Sequence, residues 1–158
     1  MQLLLFRHGE AEKGGAGGSD AARRLVPKGR AENEACLLAV RRAGVQPEVV
    51  VHSPLVRAVE TAAMAGEILA PPGGLHEDER LACGASLADV RAVVAEHPGE
   101  TVMLVGHNPD FSEITGELIG GGNVALRTSG IACVSLPLVA AGAGVLEWLI
   151  KPRLFGDR

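Results

Sequence analysis

The sequence predicts a single α/β domain: a three-layer α/β/α sandwich on a mostly parallel, mixed sheet, closed by a C-terminal β-hairpin. Short runs of large aliphatic residues alternate with longer segments of helical periodicity, the pattern of strand–helix–strand crossovers. Each of the early apolar runs stops abruptly at a polar cluster, as buried parallel strands do where they leave the sheet. A chain of 158 residues, 47% of them hydrophobic, suits one core of ordinary size.

In chain order, the apolar runs are residues 3–6 (LLLF), 49–51 (VVV) and 102–105 (VMLV), each read as a buried strand. Helices are expected over 28–43, 55–70, 87–96 and 111–119, where apolar residues recur at helical spacing. Two further strand-like runs, 131–136 and 145–150, flank the turn-rich AAGAG and form the expected hairpin, which makes the sheet mixed. Residues 14–19, almost all Gly and Ala, and 71–75, rich in Pro and Gly, read as breaks too short for interdomain linkers. The first of these lies shortly after His8 and is either a rim loop that adapts to a ligand or a plain surface loop.

Bulk properties narrow the function. With 15 basic and 19 acidic residues the net charge is -4, which gives no general attraction for nucleic acid or an anionic membrane, so any anion site must be local. No apolar stretch reaches the roughly 18 residues of a membrane helix. The opening MQLLLF runs straight into charged residues, unlike a secretory leader. Cys36, Cys83 and Cys133 are odd in number and widely spaced in apolar surroundings, as reduced, buried thiols would be. A cytoplasmic protein is expected. No cysteine has a Cys or His neighbour at zinc-binding spacing, and neither a metal nor another cofactor is predicted.

Chemistry concentrates at the ends of the three internal strands. Arg7-His8-Gly9 follows the first, His52-Ser53-Pro54 with Arg57 the second, and Gly106-His107-Asn108 the third. The carboxyl ends of strands in an open parallel sheet form its ligand crevice, so these clusters are expected to converge. Ser53-Pro54 and Asn108-Pro109 each read as an N-cap followed by the first helical residue, so two helix N-termini should face the crevice. Their N–H groups, together with Arg7 and Arg57, would suit a dianion such as phosphate.

The run LLLFRHGEAE carries the RHG signature of the histidine phosphatase superfamily, and the whole chain resembles its small SixA-type phosphohistidine phosphatases. The resemblance continues through VVVHSPLVRAVETA and VMLVGHNPDFS to LRTSGIACVSL, in the family's order. One departure is LVPKG ahead of the first helix, where Val26 replaces the threonine common in the family and supplies no side-chain cap. The resemblance implies a phosphoglycerate-mutase-like fold and catalysis without a metal. It implies that His8 is the nucleophile and that Arg7, Arg57 and His107 bind the phosphoryl group, with Asn108 adding a contact through its backbone. A neutral imidazole can attack phosphorus when its other ring nitrogen is held by a hydrogen bond, giving a phosphohistidine that water then hydrolyses.

The implied substrate is phosphohistidine on a signalling protein such as a histidine-containing phosphotransfer domain, with inorganic phosphate as product. Larger relatives carry insertions that wall the pocket and bring a carboxylic acid, and this chain has little room for them. The alternative is a small phosphomonoester, favoured if Glu77, Asp78 or Glu79 reaches the pocket as a proton donor. Other residues stay open: Glu10 either touches the rim or bridges to a basic side chain, and Thr128 and Ser129 either line the pocket or form an ordinary turn. His52, His76 and His97 have no partner motif and are read as structural or exposed.

Overall fold

The computed structural model describes residues 1–14 and 16–156. Its order is β1 (Gln2–Arg7), α1 (Pro27–Arg42), β2 (Val49–His52), α2 (Val56–Leu69), β3 (Leu75–Glu77), α3 (Leu87–Glu96), β4 (Thr101–Gly106), α4 (Asp110–Leu118), β5 (Ile131–Ser135) and β6 (Val145–Ile150), with short 3-10 turns between. The six strands lie in the order β3-β2-β4-β1-β5-β6. β3, β2, β4 and β1 run parallel, and β5 and β6 close the far edge antiparallel, so the mixed sheet and the terminal hairpin are both present.

Alternation along the strands divides the core. Leu3 and Leu5 of β1 join Val49, Val51, Val102 and Leu104 on one face, beneath Leu87, Val90 and Val93 of α3 and Phe111, Ile114 and Leu118 of α4. Leu4 and Phe6 join Val50, Met103 and Val105 on the other, against Cys36, Leu37 and Val40 of α1 and Ala58, Ala62, Ala65 and Leu69 of α2. Because both faces are covered, the central strands read as continuous apolar runs rather than as alternating ones. Each residue of β1 from Leu3 to Phe6 is fully buried.

Three expectations change. β3 lies where a break and a charged segment were expected; its three residues are all exposed on the sheet edge, so no apolar run marks it. Pro54 and Pro109 precede their helices instead of opening them: the N-cap positions are Leu55 and Pro109, and neither Ser53 nor Asn108 occupies one. The Ser53 hydroxyl instead accepts the Leu55 N–H two residues on, at 3.2 Å, in a tight turn. Cys36 and Cys133 are buried as expected, but Cys83 is exposed, because its loop follows a 3-10 turn (Glu79–Leu81) at the surface instead of entering a core layer. α1 starts at Pro27 with no side-chain cap from Val26. Among the described residues, no helix is long and apolar enough to cross a membrane.

Candidate active site

The sheet brings its chemistry to one end. β1 and β4 are adjacent, with Arg7 opposite Gly106, so His8 and His107 leave neighbouring strands side by side. Their ring centroids are 5.1 Å apart and tilted by 56°. β2 lies on the other side of β4 and delivers Ser53, whose backbone N–H bonds to the Val105 carbonyl at 3.0 Å. Arg57, in the first turn of α2, reaches back over the strand ends and donates from Nε to His8 Nε2 at 3.2 Å.

Hydrogen bonding fixes the state of His8. Its Nδ1 lies 2.7 Å from the Gly9 carbonyl oxygen, which can only accept, so Nδ1 carries the proton and Nε2 the lone pair. Burial lowers the His8 pKa to about 3, with the charges of His107, Arg57 and Arg7 adding to the effect and the Gly9 bond opposing it. His107 is lowered to about 4, first by burial and then by the Arg57 charge. Both rings are therefore neutral at physiological pH.

A second tier holds these groups. Thr61 Oγ1 donates to the Arg57 carbonyl at 2.8 Å and accepts from the Gly9 N–H at 3.2 Å and from Asn33 Nδ2 at 3.1 Å, tying the RHG turn to α2. Gly9 fits because a Cβ there would lie 2.8 Å from Asn33 Oδ1 and 2.9 Å from the Gly29 carbonyl oxygen. His107 Nε2 sits 2.6 Å from Ser53 Oγ, while its Nδ1 is buried without a partner. Arg7 donates from Nη1 to the Leu126 carbonyl at 3.0 Å, and Asn108 Nδ2 donates to the same oxygen at 2.9 Å. Burial and the nearby Arg127 charge both lower the Arg7 pKa from its ordinary value.

The structure therefore gathers Arg7, His8, Arg57 and His107 at one end of the sheet, and places the Asn108 side chain between the 126 segment and α4. Its carboxamide braces the 126 segment and accepts from the Ser112 N–H at 3.3 Å and from Ser112 Oγ at 3.0 Å, at the start of α4. Glu10 pairs with Lys28 at 3.4 Å, the bridging alternative. Ser129 makes a turn with φ 60 and donates its N–H to the His8 carbonyl at 3.2 Å. His52 is buried with Nδ1 2.9 Å from the Ser53 carbonyl oxygen, a structural role.

No carboxylate of the 77–79 segment bonds to the site: Asp78 is locked in a two-point pair with Arg80, and Glu77 and Glu79 are exposed. The carboxylate that does reach it is Asp20, which sequence reasoning missed. Arg57 Nη2 lies 3.2 Å from Asp20 Oδ2, and Nη1 donates to the Asp20 carbonyl at 2.9 Å. The Arg23 hydrogen bond, followed by the Arg57 charge, holds Asp20 below the usual carboxylate range, so it is ionised and a poor proton donor. Asp20, the residue after the expected 14–19 break, thus borders the site; Gly15 of that break lies outside the described residues. Among the described residues no three potential ligands group as a metal site.

The family model described as "Histidine phosphatase superfamily (branch 1)" matches residues 3–82, which carry both the RHG turn and the arginine-bearing helix. The chain belongs to this superfamily. Phosphohistidine phosphatase SixA of Escherichia coli (strain K12) is 27% identical over 155 residues, covering 96% of this chain and 94% of that protein. A solved structure of the protein histidine phosphatase SixA complexed with tungstate superposes with a TM-score of 0.85 at 28% identity, covering 98% of this chain and 99% of that one. A SixA structure from Agrobacterium tumefaciens shares the fold at a TM-score of 0.80 and 22% identity, covering 96% of this chain and 97% of that one. The superfamily's mixed α/β fold is therefore present over nearly the full length of this chain.

Proposed function

We propose that this histidine phosphatase is a metal-independent hydrolase that takes the phosphoryl group of a phosphohistidine on a protein onto His8 Nε2 and passes it to water. The observation that carries the reading is the His8 ring itself: Nδ1 tethered to the Gly9 carbonyl, Nε2 unprotonated and beside the Arg57 guanidinium. That is a nucleophile held in one tautomer next to a phosphate-binding cation. Similarity to SixA along the whole chain supports the substrate class.

In the first step the Nε2 lone pair forms the new N–P bond while the substrate's N–P bond breaks and its electron pair returns to the departing imidazole. That leaving group needs no enzyme acid when its ring is already protonated, which agrees with a site whose nearest carboxylate is ionised. Charge on the three equatorial oxygens is met by Arg7, Arg57 and His107. The Ser53 hydroxyl accepts from Leu55 N–H and so has its proton free to give to His107 Nε2, which leaves His107 Nδ1–H, otherwise unpartnered, for a phosphoryl oxygen. In the second step water attacks phosphorus, releases a proton to solvent, and restores the lone pair on Nε2 as inorganic phosphate departs. A cytoplasmic site of action belongs to the same reading, since the free Cys36 and Cys133 are buried thiols of the kind a reducing compartment preserves.

Incubation with a histidine-phosphorylated phosphotransfer protein should release phosphate and leave a transient acid-labile label on His8, located by mass spectrometry. His8→Ala should abolish both. Turnover confined to phosphomonoesters, or a label on another residue, overturns the proposal.

A further inference from the structure

The sheet topology places a second charged feature at the same end of the molecule as His8. β5 is antiparallel to β1 and β6 antiparallel to β5, so the start of β5 and the end of β6 lie level with the end of β1. The segments flanking them, 127–130 and 151–153, therefore stand beside the catalytic strand ends. Adjacent strands are about 4.8 Å apart, so the end of β6 lies about 10 Å from that of β1.

A cavity of about 330 Å³ opens there, and its lining includes Lys28, Glu32, Arg127, Thr128, Lys151 and Arg153. Four of its seven lining residues are cations in a protein whose net charge is -4. Lys28 is engaged by Glu10 at 3.4 Å and approaches Glu32 at 4.0 Å, the one acid in the lining. Arg127, Lys151 and Arg153 are exposed, and among the described residues none has an acidic partner within 4.0 Å. Ordinary surface cations are interspersed with acids, and three unpaired ones around one cavity concentrate positive potential. The 126–129 segment ties the wall of this cavity to the site: Leu126 accepts from Arg7, Ser129 donates to the His8 carbonyl, and the Arg127 charge is felt at Arg7.

The groove also extends beyond a single anion. A neighbouring lobe of about 360 Å³ shares Lys28, Glu32 and Arg153 and continues between α1 and the 3-10 turn Pro152–Phe155, where Ala31, Ala35 and Phe155 line it. A basic mouth leading to an apolar trough matches a protein surface with acidic residues beside an apolar strip better than it matches a small ester.

We propose that the Arg127–Lys151–Arg153 groove is the docking surface for acidic side chains that flank the phosphohistidine of the protein substrate, about 10 Å from the phosphoryl group. This rests on the phosphohistidine reading of the His8 site and extends it from chemistry to partner recognition. Acidic residues one to two helical turns from the phosphorylated ring would reach the groove while the phosphoryl group lies over His8.

The test uses the full chain with Lys151→Glu and Arg153→Glu combined, two positions outside the phosphoryl pocket. Steady-state kinetics are compared on a histidine-phosphorylated phosphotransfer protein with an acidic surface and on free phosphohistidine. KM for the protein should rise about 10-fold with kcat unchanged, free phosphohistidine should be turned over as before, and the salt sensitivity of the protein KM should fall. Unchanged KM for the protein with intact turnover of free phosphohistidine overturns the groove and leaves the phosphatase reading standing. Absence of turnover of both substrates by the unaltered chain overturns the phosphatase reading itself. Loss confined to small phosphoesters bearing a second anionic group assigns the cations to a small-molecule subsite and overturns docking. Should the double charge reversal unfold, Lys151→Gln with Arg153→Gln carries the same expectation at a smaller rise in KM.

Discussion

His8 and His107 project from the ends of adjacent parallel strands, whereas Asp20, which holds the far side of Arg57, comes from a 3-10 turn at the end of a glycine-rich loop. The strand-borne half is buried: His8 is 9% exposed, His107 2% and Ser53 0%. The Asp20 side chain is 64% exposed. Arg57 belongs to both halves, because its Nε faces His8 while its Nη atoms face Asp20. The difference teaches where rigidity is placed. Tautomers are set by the Gly9 carbonyl and the Ser53 hydroxyl, just past buried strand ends, and the outer side of the guanidinium is met by an exposed carboxylate.

Arg57 is where the comparison breaks most visibly. Arg57→Ala should lower kcat by about 100- to 1,000-fold, since it removes a donor to the transferring oxygens and the group beside the nucleophile. Arg57→Lys should recover only a small part, because an ammonium cannot serve His8 and two oxygens in the fixed fork of a guanidinium. Single-turnover phosphate release measures both. An Arg57→Lys protein as active as the parent would show that charge alone, without the two-sided geometry, is what the site needs.

Within the rigid half, Ser53→Ala should cost about 10-fold in kcat. It leaves His107 Nε2 buried without a partner, and the ring can then settle in either tautomer. Nitrogen-15 chemical shifts of His107 report this directly: the parent should show one tautomer and the variant a mixture. Identical spectra would remove Ser53 from the positioning set.

Acid titration separates the halves by stability. The folded pKa values of His8 and His107, about 3 and about 4, lie below the ordinary 6.5. Between those limits the unfolded chain binds more protons than the folded one, so stability rises with pH across that window. The contribution is complete above about 6.5 and is lost as the pH falls, by about 2 kcal/mol for His8 alone on reaching pH ~5. Thermal melts should therefore show Tm falling below about pH 6.5, while the His8 resonances keep the neutral pattern with Nδ1 protonated. A His8 signal that titrates near its ordinary value would contradict the buried, tethered ring.

What was legible follows the same division. The strand-borne residues could be read from the sequence because each stands where an apolar run ends, and the topology of a parallel sheet carries those ends to one edge. Ser53 was visible but read as a helix cap; its hydroxyl turns to Leu55 and His107 because α2 starts three residues later, an offset that propensity does not specify. β3 escaped notice because an exposed three-residue edge strand has no hydrophobic signature. Asp20 escaped because its meeting with Arg57 spans 37 residues and depends on the path of a glycine-rich loop, which no local pattern encodes.

The smallest expected effect belongs to that loop. The Asp20 carbonyl and carboxylate each accept from one Nη of Arg57, donors a phosphoryl group would use. Each Nη carries a second N–H, so Asp20 competes with a phosphoryl group for the guanidinium without filling it. Asp20→Asn keeps the size of the side chain and its carbonyl contact but removes the competing charge, and Asp20 is exposed enough for solvent to screen much of that charge. Inorganic phosphate or tungstate should then bind about 2- to 5-fold more tightly, a change well inside the range of screened surface pairs. Competitive inhibition constants measure it. kcat should stay the same, because an ionised Asp20 donates no proton to the reaction. A marked fall in kcat would instead show that Asp20 holds the Arg57 fork in its working orientation, and would move the loop from the rim of the site into its rigid half.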